Sequence, residues 1–279
     1  MTRRARLPAL LLCLGALLPL PALAELMLNP TRVVLARNQR AAQVELINNS
    51  SETATYRISA VNRRMGETGE FTSVTEAAPD ERFADAMLAW SPRQITLQPG
   101  SAQVVRVMVR KPEALAAGEY RSHLHFEKLP AARELASSVE GSDKAGANIG
   151  VVIKTLIGAS IPVIVRHGES TASVALTQLA LQAPQAGQAP MLAFRIERSG
   201  NSSVYGDLSV SFTPRGGQSR VLGRASGVAV YTPNAVRRAM LALHLPPGAA
   251  LAGGELRLAY RERPEAGARL LAEAALALP

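Results

Sequence analysis

The sequence predicts an all-β protein built from two β-sandwiches. Apolar and polar residues alternate along most segments, and turns rich in Gly, Pro, Asn and Ser separate these segments at short spacing. Helical periodicity is weak throughout. In the first half, Val105 and Val107 alternate with Arg106 and Met108. Such alternation is typical of strands with one face in a core and the other in solvent.

The second half repeats this pattern in a form that fits an immunoglobulin-like (Ig-like) sandwich. Seven short candidate strands follow one another over about 110 residues, which is the number and spacing that such a sandwich needs. They are residues 173–179, 192–197, 204–212, 221–231, 237–243, 255–261 and 270–278. The last segment is rich in Ala and Leu, so a helix is the alternative there.

The N-terminus has the pattern of an export signal. Arg3, Arg4 and Arg6 precede an apolar run over residues 7–20, and the small-residue sequence at 22–24 resembles a cleavage site. We expect residues 1–24 to be a cleaved signal peptide; an uncleaved anchor is the alternative. The remainder divides into a first domain at residues 25–166 and a second at 167–279.

Composition excludes several classes of function. The only cysteine, Cys13, lies inside the predicted signal, so the mature chain has no disulfide, thiolate metal site or cysteine nucleophile. The formal charge is +9 for the whole chain. Its arginines are scattered and aromatic residues are few, which favours solvated strand faces over a nucleic-acid groove. No nucleotide-binding or hydrolase motif is present, so we expect no enzyme, no cofactor and no small-molecule substrate.

His123 and His125 stand two residues apart on a predicted strand. This spacing places both side chains on one face, where they could ligate a metal. A metal site needs further ligands, and the pattern offers no third one. We therefore predict solvent-exposed histidines and no metal.

Residues 131–165 combine a predicted long loop, at 131–147, with a long alternating apolar row. The row occupies the odd positions Ile149, Val151, Ile153, Thr155, Ile157, Ala159, Ile161, Val163 and Val165. It exceeds the five or six residues of a typical strand. It is therefore either a core strand that bends between two sheets or an exposed apolar edge, and the pattern leaves both interpretations open.

An ordered set of segments in the first domain resembles the PapD-like periplasmic chaperones of chaperone–usher pili. The segments are NPTRVVL at 29–35, VELINN at 44–49, SPRQITLQPG at 91–100, QVVR at 103–106, GEYR at 118–121 and IPVIVR at 161–166. The second domain matches mainly in its strand pattern. The resemblance implies two Ig-like domains in a boomerang arrangement with a cleft between them.

The resemblance also implies specific site residues. The donor strand, which completes the fold of a pilus subunit, falls on Ile153, Thr155, Ile157, Ala159 and Ile161, and Ile149 and Val151 extend the same face. Arg32 matches the cleft arginine that captures the subunit's C-terminal carboxylate. The family's second cleft cation falls on Pro162, which has no charge, so this chain departs from the pattern there. Arg106, Glu119 and Glu262 match an interdomain charge network.

Together these features predict a periplasmic chaperone that binds pilus or fimbrial subunits by strand donation and delivers them to an outer-membrane usher. A self-capping dimer of the free chaperone is left open. The alternative is an exported Ig-like structural or adhesion protein that self-associates through its strand edges.

Overall fold

The structure is a computed structural model that describes residues 25–130, 158–182, 189–246 and 251–279. These ranges contain eighteen strands and two single-turn 3₁₀ helices, at Asp85–Met87 and Pro264–Ala266. No helix within them has the length and apolar character of a membrane-spanning segment. The predicted all-β class is confirmed, with two Ig-like sandwiches along the chain.

Two sheets form the first sandwich. One sheet has the order β1 (Leu26–Asn29), β3 (Ala41–Asn48), β9 (Ala102–Val109) and β7 (Leu88–Ser91). The other has the order β2 (Val33–Leu35), β11 (Gly158–His167), β10 (Gly118–Leu129), β4 (Ala54–Val61) and β8 (Gln94–Leu97). A small hairpin, β5 (Arg63–Met65) and β6 (Phe71–Ser73), projects from this sandwich.

Alternation in these strands produces the first core. Val44 on β3 lies opposite Val105 on β9, and neither side chain is exposed. From the other sheet, Leu124 on β10 lies opposite Ile161 on β11, and both belong to the same buried cluster. Burial of large aliphatic side chains at ~1.5–3 kcal/mol each is what holds a sandwich without disulfides together.

Seven strands form the second sandwich, and each overlaps one of the seven predicted segments. One sheet has the order β12 (Ala172–Gln182), β13 (Met191–Gly200) and β16 (Val236–Ala242). The other has the order β15 (Arg220–Val230), β14 (Val204–Pro214), β17 (Gly254–Glu262) and β18 (Leu270–Leu278). The segment at 270–278 is therefore a strand and not a helix.

β10 departs from simple alternation. Arg121 and His123, expected on a solvated face, are 5% and 2% exposed. The β5–β6 hairpin and the second sandwich cover this face: Phe71 packs edge-to-face on His123, and the Tyr231 ring contacts Arg121. The prediction of solvent-exposed histidines is wrong for His123, because a distant segment supplies the cover.

Candidate functional site at the contact between the sandwiches

Arg32 lies where the chain crosses from one sheet of the first sandwich to the other. β1 pairs with β3, whereas β2, which starts one residue after Arg32, pairs in parallel with β11. The crossing turns the Arg32 side chain toward the second sandwich. Nη1 donates to Tyr231 Oη at 3.0 Å and Nη2 donates to Ser203 Oγ at 3.2 Å.

Two aromatic rings also contact this guanidinium. Cζ of Arg32 lies 4.5 Å from the centre of the Tyr205 ring and 5.1 Å from that of Tyr231. Both hydrogen-bond acceptors are neutral, and no carboxylate among the described residues forms a salt bridge with Arg32. The cation is thus positioned by aromatic rings and hydroxyls while its charge is left without a counterion.

A cleft of about 500 Å³ opens beside Arg32, between the two sandwiches. Arg166 and Arg269 line it together with Glu262 and Ser203. Its wall therefore carries three guanidinium groups and one carboxylate, and this excess of positive charge favours an anionic group within the cleft.

Glu119 links the two sandwiches. Its side chain is fully buried, and Oε2 accepts hydrogen bonds from Arg166 Nε and from the backbone N and Oγ of Ser203, each at 3.0 Å. Arg166 Nη2 also donates to the Ser203 carbonyl at 3.2 Å. A buried carboxylate with three donors from both sides of the contact restrains the relative position of the strands that carry them.

The other two residues of the expected charge network do not pair with Glu119. Arg106 is exposed on β9, where its register partners are Gln43 and Ser91. Glu262 pairs with Arg269 at 2.8 Å. The structure therefore brings Glu119 to the interdomain contact with Arg166 and Ser203, and it does not join Glu119 to Arg106 or Glu262 within the described ranges.

Most of the expected donor strand lies outside the described residues: Ile149, Val151, Ile153, Thr155 and Ile157. Ala159 and Ile161 are on β11. Ile161 is only 3% exposed and packs in the first core with Val163 and Val165, which share its parity along the strand. Its side chain therefore faces its own domain, which differs from the assignment of Ile161 to the donor strand that the resemblance implied.

The backbone of β11 has an open edge at its start. β10 pairs with β11 from Gly158 to His167, whereas β2 pairs with it only from Val163 to Val165. Residues 158–162 thus have a strand on one side alone among the described residues. Pro162 lies opposite His123 in this stretch and contributes neither a charge nor a backbone N–H.

The β5–β6 hairpin docks on the second sandwich. Met65 is 2% exposed and belongs to the second core, and its carbonyl accepts from Asn234 Nδ2 at 2.8 Å. Arg238 donates its backbone N–H to the Glu67 carbonyl at 2.7 Å. Gly69 has a φ of 95°, a left-handed conformation that favours glycine, and it lies against the guanidinium of Arg237.

A cluster of basic residues lies where the same hairpin covers β10 and was not found from the sequence. It consists of Arg63, Arg121 and His123. Burial, followed by the positive charges of Arg121 and Arg63, lowers the pKa of His123 to about 3, so the imidazole is neutral at pH 7. Burial also lowers the pKa of Arg121. Strict alternation places these residues in solvent, and no local signal in the sequence indicates otherwise.

Metal binding has no candidate site in the part of the chain that the structure describes. No three side chains of His, Cys, Asp or Glu come together there as ligands. His125 is half-buried beside Gly158, and its Nδ1 has no hydrogen-bond partner among the described residues.

Comparison with solved structures finds similarity to several chaperones. The CupB2 chaperone of Pseudomonas aeruginosa is similar at 11% identity over 91% of this chain and 100% of that chain, with a TM-score of 0.47. The YadV chaperone is similar at 9% identity over 91% of this chain and 100% of that chain, with a TM-score of 0.45. A third similar structure is the CsuC–CsuE chaperone–tip adhesion subunit pre-assembly complex of Acinetobacter baumannii. Its identity is 12% over 91% of this chain and 98% of that chain, and its TM-score is 0.44.

These likenesses concern the fold alone. No protein-family model matches the chain, and no curated protein matches it.

Proposed function

We propose that this protein is a periplasmic chaperone that holds pilus or fimbrial subunits by strand pairing and delivers them to an outer-membrane usher. The observation that carries the proposal is the open edge of β11 at residues 158–162. An edge with unpaired backbone groups is the surface on which an added strand forms hydrogen bonds. The role is one of binding, not of catalysis.

The donor strand would continue this edge toward the N-terminus of β11. Residues 149–157 directly precede β11 in the sequence and carry apolar side chains at the alternate positions Ile149, Val151, Ile153 and Ile157. Backbone pairing supplies affinity in such additions, and alternate side chains fill pockets of the partner. Since Ile161 belongs to the chain's own core, the side chains that enter the subunit would be those upstream of it.

Arg32 would supply the electrostatic anchor. Its guanidinium is positioned by Tyr205, Tyr231 and Ser203 and has no carboxylate partner among the described residues. A subunit's C-terminal carboxylate in the adjacent cleft would accept hydrogen bonds from it. Arg166, which lines the same cleft, offers a second guanidinium where the charge expected at Pro162 is missing.

The organisation of the chain follows from the same proposal. Residues 1–24 would direct export and be removed, and residues 25–166 and 167–279 would be the two domains of the mature chaperone. The sequence features that support export are the arginines at the start and the apolar run behind them.

Co-expression with a subunit encoded beside this gene tests strand donation. Ile153→Asp should abolish recovery of the complex, because a charge would enter an apolar pocket. Val104→Asp is the control, since Val104 is 42% exposed on β9, away from the open edge. Equal yields of complex from the wild-type protein and Ile153→Asp would show that strand donation is wrong.

The same open edge would serve a protein that assembles with itself, which is the second candidate function. Size-exclusion chromatography of the purified chain separates the two. Homopolymers that form without any partner favour the self-associating structural protein, whereas a monomer or a dimer that dissociates when a subunit is added favours the chaperone.

A further inference from the structure

The hydrogen bonds of β10 show which backbone groups of β11 turn toward the open edge. Arg121 on β10 lies opposite Ile164 on β11, yet its N–H donates to the carbonyl of Arg82 at 2.9 Å. Opposite residues in an antiparallel ladder alternate between hydrogen-bonded and non-hydrogen-bonded pairs, so Leu124 and Ile161 form a hydrogen-bonded pair. The N–H of Ile161 therefore faces β10, and the N–H groups of the even-numbered residues of β11 face the other side.

A lysine side chain supports this orientation at the other end of β11. Lys111 Nζ donates to the carbonyl of Arg166 at 2.7 Å and to that of Arg37 at 3.2 Å. Arg37 follows β2, and β2 lies on the side of β11 that is opposite to β10. The carbonyl of Arg166, an even-numbered residue, thus points toward the β2 side, and the backbone groups of Ser160 and Pro162 share this direction.

Pro162 therefore stands where its missing N–H would face the open edge. Its place inside a ten-residue strand costs β10 no hydrogen bond, because Pro162 and His123 are a non-hydrogen-bonded pair. Ser160, two residues earlier, offers an N–H to the edge, and position 162 offers none. β2 begins to pair one residue later, where Val33 lies opposite Val163. The open edge thus ends, directly before β2, at a position without a donor.

We propose that Pro162 is a stop that ends the pairing of a partner strand with β11 and thereby fixes the register of that strand. The inference rests on the proposed function, because it requires a strand to be added at the open edge. A strand that pairs along β11 toward β2 finds a donor at Ser160 and none at Pro162. Its ladder ends there, so the pairing of β2 with Val163–Val165 is left intact. Val33 and Leu35, 3% and 0% exposed, then stay in the first core.

Amide hydrogen exchange, resolved by NMR, tests the stop in the variant Pro162→Ala, which restores an N–H. In the free variant, the amides of Ser160 and of position 162 should exchange at least about tenfold faster than those of Ile161 and Val163, which face β10. Addition of a subunit encoded beside this gene should slow exchange at Ser160 and at position 162 by at least about tenfold, because the ladder now continues past the former stop. The added hydrogen bond should raise the affinity for the subunit about two- to tenfold over that of the wild-type protein.

Pro264→Ala is the control, since it removes an exposed proline that lies outside the strands and should leave the affinity unchanged. Should Pro162→Ala fail to fold, Pro162→Val takes its place, because valine suits a strand. Slow exchange at position 162 in the free variant overturns the stop. Protection of Ser160 without position 162 in the presence of the subunit also overturns it, while strand addition stands. If the subunit protects neither amide, the stop and strand addition at this edge both fail.

Discussion

Glu119 on β10 and Ser203, which directly precedes β14, are joined across the contact between the two sandwiches: both the N–H and the hydroxyl of Ser203 lie 3.0 Å from the same carboxylate oxygen. Arg166 completes the arrangement from β11. β11, whose open edge the proposed function uses, therefore takes part in the contact between the sandwiches through Arg166.

Replacing Glu119 should destabilise the contact. Glu119→Ala leaves the buried N–H of Ser203 without an acceptor and Arg166 without its counterion, so the free energy of unfolding should fall by about 1–3 kcal/mol. Urea unfolding at pH 7 measures this. Glu273→Ala, which removes one exposed pair with Arg257, should cost less than about 1 kcal/mol. Equal losses in the two variants would contradict the role of Glu119.

Stability should fall in acid because of His123. Its folded pKa of about 3 lies below the ordinary value of 6.5, so between these values the unfolded chain binds a proton that the folded chain excludes. Burial beside Arg121 and Arg63 is the cause. Below pH 6.5 the contribution of His123 to stability should decline by about 1.4 kcal/mol per pH unit.

The comparison of His123→Gln with the wild-type protein isolates this effect. Between pH 7.5 and pH 5.0 the wild-type protein should lose about 2 kcal/mol more than the variant, as measured by urea unfolding. His244→Gln, at an exposed position, should follow the wild-type dependence. Parallel pH profiles for the wild-type protein and His123→Gln would mean that His123 is not held neutral.

Met65 should stabilise the second sandwich although it belongs to a hairpin of the first. Its side chain is packed in the second core, so Met65→Ala should lower the free energy of unfolding by about 2–5 kcal/mol. Fluorescence of Trp90 reports the first sandwich, and far-UV circular dichroism reports both. Thr72→Ala, exposed on the same hairpin, is the control and should change little. A loss below 1 kcal/mol, about the scale of a surface change, would argue against docking of the hairpin.

The hydroxyl of Tyr231 should contribute separately from its ring. Tyr231→Phe keeps the aromatic contacts with Arg32 and Arg121 and removes the acceptor for Arg32 Nη1, so it should cost about 0.5–1.5 kcal/mol. Tyr120→Phe, whose hydroxyl donates to the Ala116 carbonyl at an exposed site, should cost less. Thermal unfolding of the two variants compares them, and a larger loss from Tyr120→Phe would refute the assignment.

Local sequence patterns were sufficient to predict the positions of most of the strands. Alternation located all seven strands of the second sandwich, since the side-chain period of two follows from the pleat itself and needs no knowledge of distant residues. The same rule failed at Arg121 and His123. Alternation predicts that the face of a strand opposite the core is exposed to solvent, and it does not take into account a second sandwich or a hairpin that covers that face. The β5–β6 hairpin, whose strands are three residues long, carries too short a pattern to be recognised.

The amino-acid sequence alone determined the all-β class and the strands of the second sandwich, because periodicity is a property of neighbouring residues. Arg32 was a candidate only through the resemblance of its segment to a known family. The tertiary structure decided which partners those residues have. Arg32 meets Tyr231 at a separation of 199 positions, and Glu119 meets Ser203 at a separation of 84. Contacts between residues so far apart in the sequence depend on how the sandwiches and the hairpin pack together. That packing depends on the shapes of whole surfaces, which a local sequence pattern does not specify.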